Sequence, residues 1–592
     1  AQAGGNTNGS ANVSGNINFN IGRWEGFANI GYRHRASEGG STSYQEYLNT
    51  HQYQSYTTEN DRNGNNLFAR AGVTYNATDK DAFSLTGMTM FGSRKNGGIT
   101  PYHYGTIGAE NDSYIMLRNS SGHNDMRMLY GEFNYRHSFT DKHFLDFTVD
   151  YHNWRMDQEN IYQDSTTYID PTGPTEYDYQ YRPMYNRNHS WEVKLDYENP
   201  IADGWLLQAG YQGNFDRENS PQESYIDETS WNGANAVEDE EYYNRFVYNQ
   251  DLHAMYATVT TKFGKLGVMA GLRGEYWRIN TSSYTYGQDH GTETPDKPFK
   301  KDFFQLFPSV FLSYQFDDSQ QLQLNYTRRL RRPRGHQLNS FRNTRDASMI
   351  SFGNPRLTPE YSNSFSLNYL KTWNANSVLV SAYYRPTDDV IQRINYQSTT
   401  DNQMYSTYMN VASSVSTGLE LVMKNQLFKI LNLTTTANAY YYKLNGFTYN
   451  IDGQTVTGES DDNFTWNARM QASLMLPFDI SVQLTGRYRA RQVITQGYRK
   501  ANFSMNFGVR KTFLDRKLTL ALNCRDILNS RKFENFTSSE TFTRRQKNWG
   551  SGRTLNVTLT YSFGNMKAKA PKKKVNNSAN MGGEDGGMES ME

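Results

Sequence analysis

Ten residues near the end of the chain, TLNVTLTYSF (554–563), alternate without a break. Leu555, Val557, Leu559, Tyr561 and Phe563 fall on one side, and Thr554, Asn556, Thr558, Thr560 and Ser562 on the other. Successive side chains of an extended chain point to opposite faces, so this is a strand between an apolar and a wet environment. The pattern recurs in ISVQLTGRYRA (480–490), LTLALNCR (518–525), FSMNFGV (503–509) and LDFTVDY (145–151). No apolar run approaches the length of a membrane-crossing helix.

The spacing of the turn signals then narrows the choice of fold. Short turns fall at 20–24, 77–81, 139–143, 201–205, 263–267, 317–321, 374–377, 428–432, 477–479 and 514–517. Between them lie longer Tyr/Asn/Ser/Gly-rich connections, expected over 37–65, 96–124, 161–185, 218–241, 281–301, 333–359, 447–462 and 537–552. Two further connections on that side, near 399–403 and 496–500, read as brief. Short turns on one side and long loops on the other describe an outer-membrane β-barrel. A propeller would show a recurring blade motif, and none is found. A water-soluble sandwich would not carry Tyr and Phe at the ends of its outward face, where a membrane barrel places its aromatic girdles.

Composition agrees. Apolar residues make up only 36% of the 592, yet 14% are aromatic, with 44 Tyr. Disorder gives low hydrophobicity with few aromatics, whereas a long β-structure with one wet face and one greasy face gives both at once. Counting strands gives 21 between Ala11 and Phe563, and a closed chain with both ends on the short-turn side needs an even number. Ala1–Gly4 therefore reads as the tail of a first strand, giving a 22-stranded antiparallel barrel, a size associated with plugged transporters. The barrel spans 1–564. The tail 565–592, with a basic run followed by a Gly/Met/Glu end, is expected to be disordered and periplasmic.

The segment GNPRLTPEYSNSFSLNY (353–369) resembles the NP-x-L-x-PE stretch that opens a mid-barrel strand in TonB-dependent receptors. The preceding YTRRLRRP…LNSF resembles the outer-membrane β-barrel branch of that superfamily. The resemblance covers residues 1–564. It implies a bacterial outer-membrane location, contact with outer-membrane lipid, and capture of a solute by external loops. Siderophore, glycan, peptide and cobalamin receptors share such a barrel. It also implies an N-terminal plug and a TonB-contacting segment before the first strand, and the strand pattern leaves no room for either here. The alternative is a plugless barrel serving as a structural subunit of an outer-membrane complex, holding surface lipoproteins or other subunits by its loops.

The stretch after Tyr326 packs five arginines between Arg328 and Arg334. With 61 Lys+Arg against 60 Asp+Glu the chain has no basic excess, which excludes nucleic acid as the partner. Arg328 lies about ten residues from its turn, enough to cross the hydrocarbon, so the arginines sit at or above the outer rim. Rim cations balance nearby carboxylates or lipid headgroups. The sharper reading has Arg332, Arg334 or Arg342 lining an entrance for an anionic ligand. Tyr102, Tyr104, Trp231, Tyr284 and Tyr286 are candidate loop contacts, because aromatics give a large contact area at low entropy cost.

Catalysis finds little support. The 11 histidines are scattered, and neither H-E-x-x-H nor G-x-S-x-G occurs. Glu238–Glu241 in VEDEEYY and the stretch DRNGNN (61–66) read as solvated loops rather than calcium sites. The single Cys524 excludes a disulfide framework. No enzyme activity, metal or cofactor is expected.

Overall fold

In the computed structural model, which describes residues 1–411, 413–451, 454–458, 461–494 and 496–564, the chain forms one closed antiparallel barrel of 22 strands. Each barrel strand pairs with the next around the wall. Gln2–Asn6 closes the ring, bonding to Ala11–Ile21 on one side and to Thr554–Tyr561 on the other. All ten expected short turns separate consecutive barrel strands, from Ile21/Trp24 to Phe513/Leu518. The tail 565–592 lies outside the described residues.

The outward face carries exposed Ile17, Leu85, Leu272, Leu324 and Leu559 at mid-wall. Aromatic pairs such as Trp24–Tyr75 and Trp205–Phe263 stand at its short-turn edge. So much contiguous apolar surface would be a liability in water and is what a lipid belt requires.

The wall is uneven in height. Six consecutive strands between Trp24 and Ala202 have 24 to 27 residues each. From Gln320 to Tyr561 the barrel strands have 8 to 16. About 11 residues cross the hydrocarbon, so the tall side rises roughly 50 Å of strand beyond the membrane. Two loop segments widen this upper tier. Phe542–Trp549 pairs with Gly40–Tyr47, and Tyr225–Asp227 pairs with Tyr179–Tyr181.

The tall wall corrects the sequence reading. Strand pairing runs through 37–65, 96–124 and 161–185, and only 48–51, 107–113 and 169–175 turn the chain. DRNGNN (61–66) is likewise inside the strand Gln52–Asn76. Above the membrane the outward face meets water instead of lipid, so the apolar half of the alternation disappears while the backbone ladder persists. The connections near 399–403 and 496–500 are also longer than expected. They belong to excursions 389–413 and 490–501, each carrying its own hairpin.

Candidate functional site at the external mouth

Where the walls leave the membrane, the polarity of two strands inverts. In Asn244–Phe263 the lower lumen-facing residues are Tyr256, Thr258 and Thr260, with Met255 exposed outward. Higher up the same inward face carries Phe246, Tyr248 and Leu252, while Arg245, Asn249 and Asp251 take the outward face. The neighbour Leu266–Tyr284 does the same, passing from Arg273 and Glu275 to Trp277 and Ile279 on its inward face. An apolar inward face above the membrane needs something to cover it.

The cover is the segment 332–359, which folds into the mouth with the hairpin Ile391–Gln397/Met404–Asn410. Leu338, Leu357 and Ile391 pack on Phe246, Tyr248, Leu252, Trp277 and Ile279. A second cluster joins Ile350 to Ile394, Tyr396, Tyr405 and the Phe447 hairpin. Ile350–Ser351 adds a short parallel pairing to Tyr405–Ser406. The result is a lid with its own apolar core, held inside the barrel wall.

The motif GNPRLTPE stitches the lid together. Gly353 donates to the Asn339 carbonyl at 2.8 Å and Asn354 to the Gln337 carbonyl at 2.6 Å. A side chain at Gly353 would meet those two carbonyl oxygens at 2.5 and 2.6 Å, so the turn accepts only glycine. Asn410 clamps Thr358 from both sides, donating to its carbonyl at 2.9 Å and accepting from its N–H at 2.8 Å. Glu360 accepts from Arg331 at 2.7 Å and from the Ile391 N–H at 2.5 Å, joining the Ile391 hairpin to the two wall strands that flank the lid.

Charged latches fasten the lid to the tall wall. Asp346 accepts from Arg544 at 2.8 Å, from the Tyr56 hydroxyl at 3.1 Å and from the Ser348 N–H at 2.9 Å. Burial pushes its carboxyl up, but Arg544 and the Ser348 hydrogen bonds outweigh that and hold it below the usual range. Arg118 donates twice to Asp164, at 2.7 and 2.5 Å, and once to the Thr344 carbonyl at 2.7 Å. The Ala347 N–H donates to the Tyr102 hydroxyl at 3.2 Å. Asp346 thus joins parts of the chain almost 200 and 300 residues away.

The profile of the outer membrane protein beta-barrel family matches residues 137–561. The chain belongs to that family. No curated protein matches it at a significant level. Among solved structures it is similar to the copper transporter OprC, at 12% identity, with 95% of this chain and 79% of that one covered and a TM-score of 0.58. The ferric yersiniabactin uptake receptor FyuA from Yersinia pestis aligns at 11% identity over 95% and 80%, with a TM-score of 0.53. The siderophore receptor PiuA from Acinetobacter baumannii aligns at 9% over 89% and 82%, with a TM-score of 0.52. At these identities the likeness is one of fold, that of a closed 22-stranded barrel of the bacterial outer membrane. Among the described residues no plug domain fills the lumen.

Against this family barrel, the residues singled out from sequence are dispersed. Arg332 pairs with Glu275 on the inner wall and lies 5.4 Å over the Trp277 ring. Arg334 is the N-cap of the short helix Gly335–Leu338 within the lid. Arg342 reaches Glu241 at 3.4 Å and lies over Tyr242. Tyr102 is buried against Tyr56, and Tyr104 stacks on Tyr114 at 4.4 Å. Trp231 leans on Tyr177, and Tyr284 sits under Arg245. Tyr286 stacks on His290 and donates to Glu238 at 2.8 Å. They do not form one constellation. Sequence reasoning missed Arg118, Asp346 and Arg544, which build the latches. Arg118 and Asp164 carried a signal, as opposite charges directly across adjacent strands, but only the pairing register reveals it.

Proposed function

We propose that the protein is an outer-membrane receptor barrel that takes up a solute, with the lid as the element that must yield for passage. The observation that carries this reading is the lid itself, an apolar-cored insertion fastened to the upper wall by the Asp346–Arg544 ion pair and by the hydrogen bond from Arg118 to the Thr344 carbonyl. Such a closed mouth makes sense in a barrel that admits a chosen solute and excludes others. The fold likeness to siderophore and copper receptors supports the class and leaves the solute open. Arg332, Arg334, Arg342, Tyr102, Tyr104, Trp231, Tyr284 and Tyr286 remain the proposed ligand contacts. Arg182 joins them, because it is buried yet keeps Nε and Nη1 without a protein partner. In this reading TonB acts through a plug supplied by sequence outside the present chain, and no catalysis takes place.

A second reading is favoured by the tall wall. Six strands of 24 residues or more present far more external surface than solute capture requires. A structural subunit holding surface lipoproteins would use it. One fold relative, FpvAI, has been solved in complex with pyocin S2, so a barrel of this fold can hold a protein partner. The intact mass of the protein purified from native outer membrane decides between the two. A mass above 68.3 kDa by the weight of a plug domain supports uptake. A mass near 68.3 kDa with partners in fixed ratio overturns it in favour of the scaffold.

A further inference from the structure

On the outward face of the tall wall, a cavity of about 250 Å³ opens between the strand Glu176–Ala202 and the segment Glu223–Ala236. Tyr179, Tyr181, Pro183 and Tyr185 form one side, and Tyr225 and Glu223 the other. Tyr181 lies some twenty residues from the short-turn end of its strand, well beyond the roughly 11 that cross the hydrocarbon. The cup is therefore outside the bilayer. It is also on the opposite face of the strand from Arg182 and the lid.

The cup is held in shape before any ligand arrives. Tyr225 pairs directly opposite Tyr181, and their rings stack at 5.9 Å. Asp227 then turns the chain back, accepting from the N–H groups of Thr229, Ser230 and Asn235 at 2.9, 3.1 and 2.9 Å. That turn lays Gly233, with φ of 68°, against the face of Tyr179. A Cβ there would sit 2.4 Å from the ring, so the contact exists only because the residue is glycine.

Its charge has one sign. None of the lining residues is a lysine or arginine. Glu223 accepts from the Tyr225 hydroxyl at 3.1 Å, and Glu159 lies close enough to Tyr181 for its charge to act on that hydroxyl. Burial and these carboxylates raise the Tyr225 hydroxyl to about 12 and push Tyr181 and Tyr185 the same way, so the phenols stay neutral donors. At the cup's edge a cation already uses such a ring. Arg187, paired with Asp157, lies 5.6 Å from the centre of Tyr185. Converging tyrosine faces beside carboxylates that pair with no cation among the described residues are the chemistry that holds an ammonium, by cation–π attraction and charge together.

We propose that this cup is a binding site for an alkylammonium group, presented either by a free small molecule or by a lysine side chain of a polypeptide. The site is independent of what crosses the lumen.

The test is calorimetric titration of the folded barrel in a maltoside detergent, which avoids the ammonium headgroups of zwitterionic detergents. The probes are choline, N-acetyl-lysine methylamide and the neutral choline isostere 3,3-dimethylbutan-1-ol. We expect saturable binding of at least one ammonium probe, about tenfold tighter than the isostere. The tighter of the two identifies the source. Glu223→Gln keeps the shape, removes a charge and is expected to weaken the ammonium probe several-fold while leaving the isostere unchanged. Tyr181→Ala should abolish binding, with the heat-dependent gel shift of the intact barrel confirming the fold. Equal affinity for probe and isostere, insensitivity to Glu223→Gln, or no saturable binding would each overturn the proposal.

Discussion

Replacing Asp346 by alanine should open the lid while leaving the barrel standing. The change strands Arg544, whose side chain is only 6% exposed, without its carboxylate. Breaking a fully buried, hydrogen-bonded pair costs about 3–5 kcal/mol. Asp346 itself is 31% exposed, so solvent screening brings the expected cost down to roughly 2–3 kcal/mol. At about 1.4 kcal/mol per factor of ten, that raises the lid-opening equilibrium about 30- to 150-fold. The barrel ladder shares none of these bonds. Hydrogen exchange of segment 335–358, followed by mass spectrometry, should therefore accelerate by that factor, with transmembrane strands unchanged. Most of the damage comes from the orphaned cation, so Asp346→Ala with Arg544→Met should recover more than half of the lost protection. Exchange within about threefold of wild type in a folded Asp346→Ala barrel would refute the latch. A double variant no better than the single one would refute the stated cause.

Three more outcomes follow from the same contacts. Leu357, 1% exposed in the lid core, should cost about 2–4 kcal/mol of lid stability on truncation to alanine, read as faster exchange at 350–358. Leu324→Arg on the lipid face should cost about 2–4 kcal/mol in urea titration of the vesicle-inserted barrel, and Gln323→Arg on the lumen face much less. Equal costs would misplace the membrane. Asp346 has a depressed folded pKa, so its latch is fully present above the unfolded value of about 3.9 and is lost as pH falls through the lower folded value. Lid protection, corrected for intrinsic exchange, should thus be the same at pH 7 and pH 5. A loss in that window would mean that another group holds the lid.

The lipid belt was legible because it imposes a local rule. Leu555, Val557 and Leu559 alternate with Asn556, Thr558 and Thr560 wherever lipid and lumen face each other across one wall. The ring size followed from turns that are equally local. The upper wall obeys no such rule. Ser37 to Tyr47 faces water instead of lipid on its outer side and a polar interior on the other, and its partner Phe542–Trp549 is about 500 residues away, so composition there reads as loop although the ladder continues. Asp346 was illegible for a related reason. An aspartate in a polar loop becomes a latch only when the fold brings Tyr56 and Arg544 to it.

The lid nevertheless left a trace in the sequence, in the phase of the alternation rather than its presence. RFVYNQDLHAMY (245–256) keeps its period of two, but its apolar face changes from inward at Phe246, Tyr248 and Leu252 to outward at Met255. A membrane strand cannot invert its apolar face inside lipid, so the inversion near Ala254 marks where the bilayer ends. Apolar residues that then face inward cannot face a water-filled lumen without cost, so protein must lie against them. The segment that does so, 332–359, continues directly from the arginine-rich stretch Arg328–Arg334. Its arginines are spent in part on Glu360 and Glu275, the carboxylates at the two places where the lid meets the wall. The charge cluster and the phase inversion are therefore one feature, seen from the two surfaces that meet in the mouth.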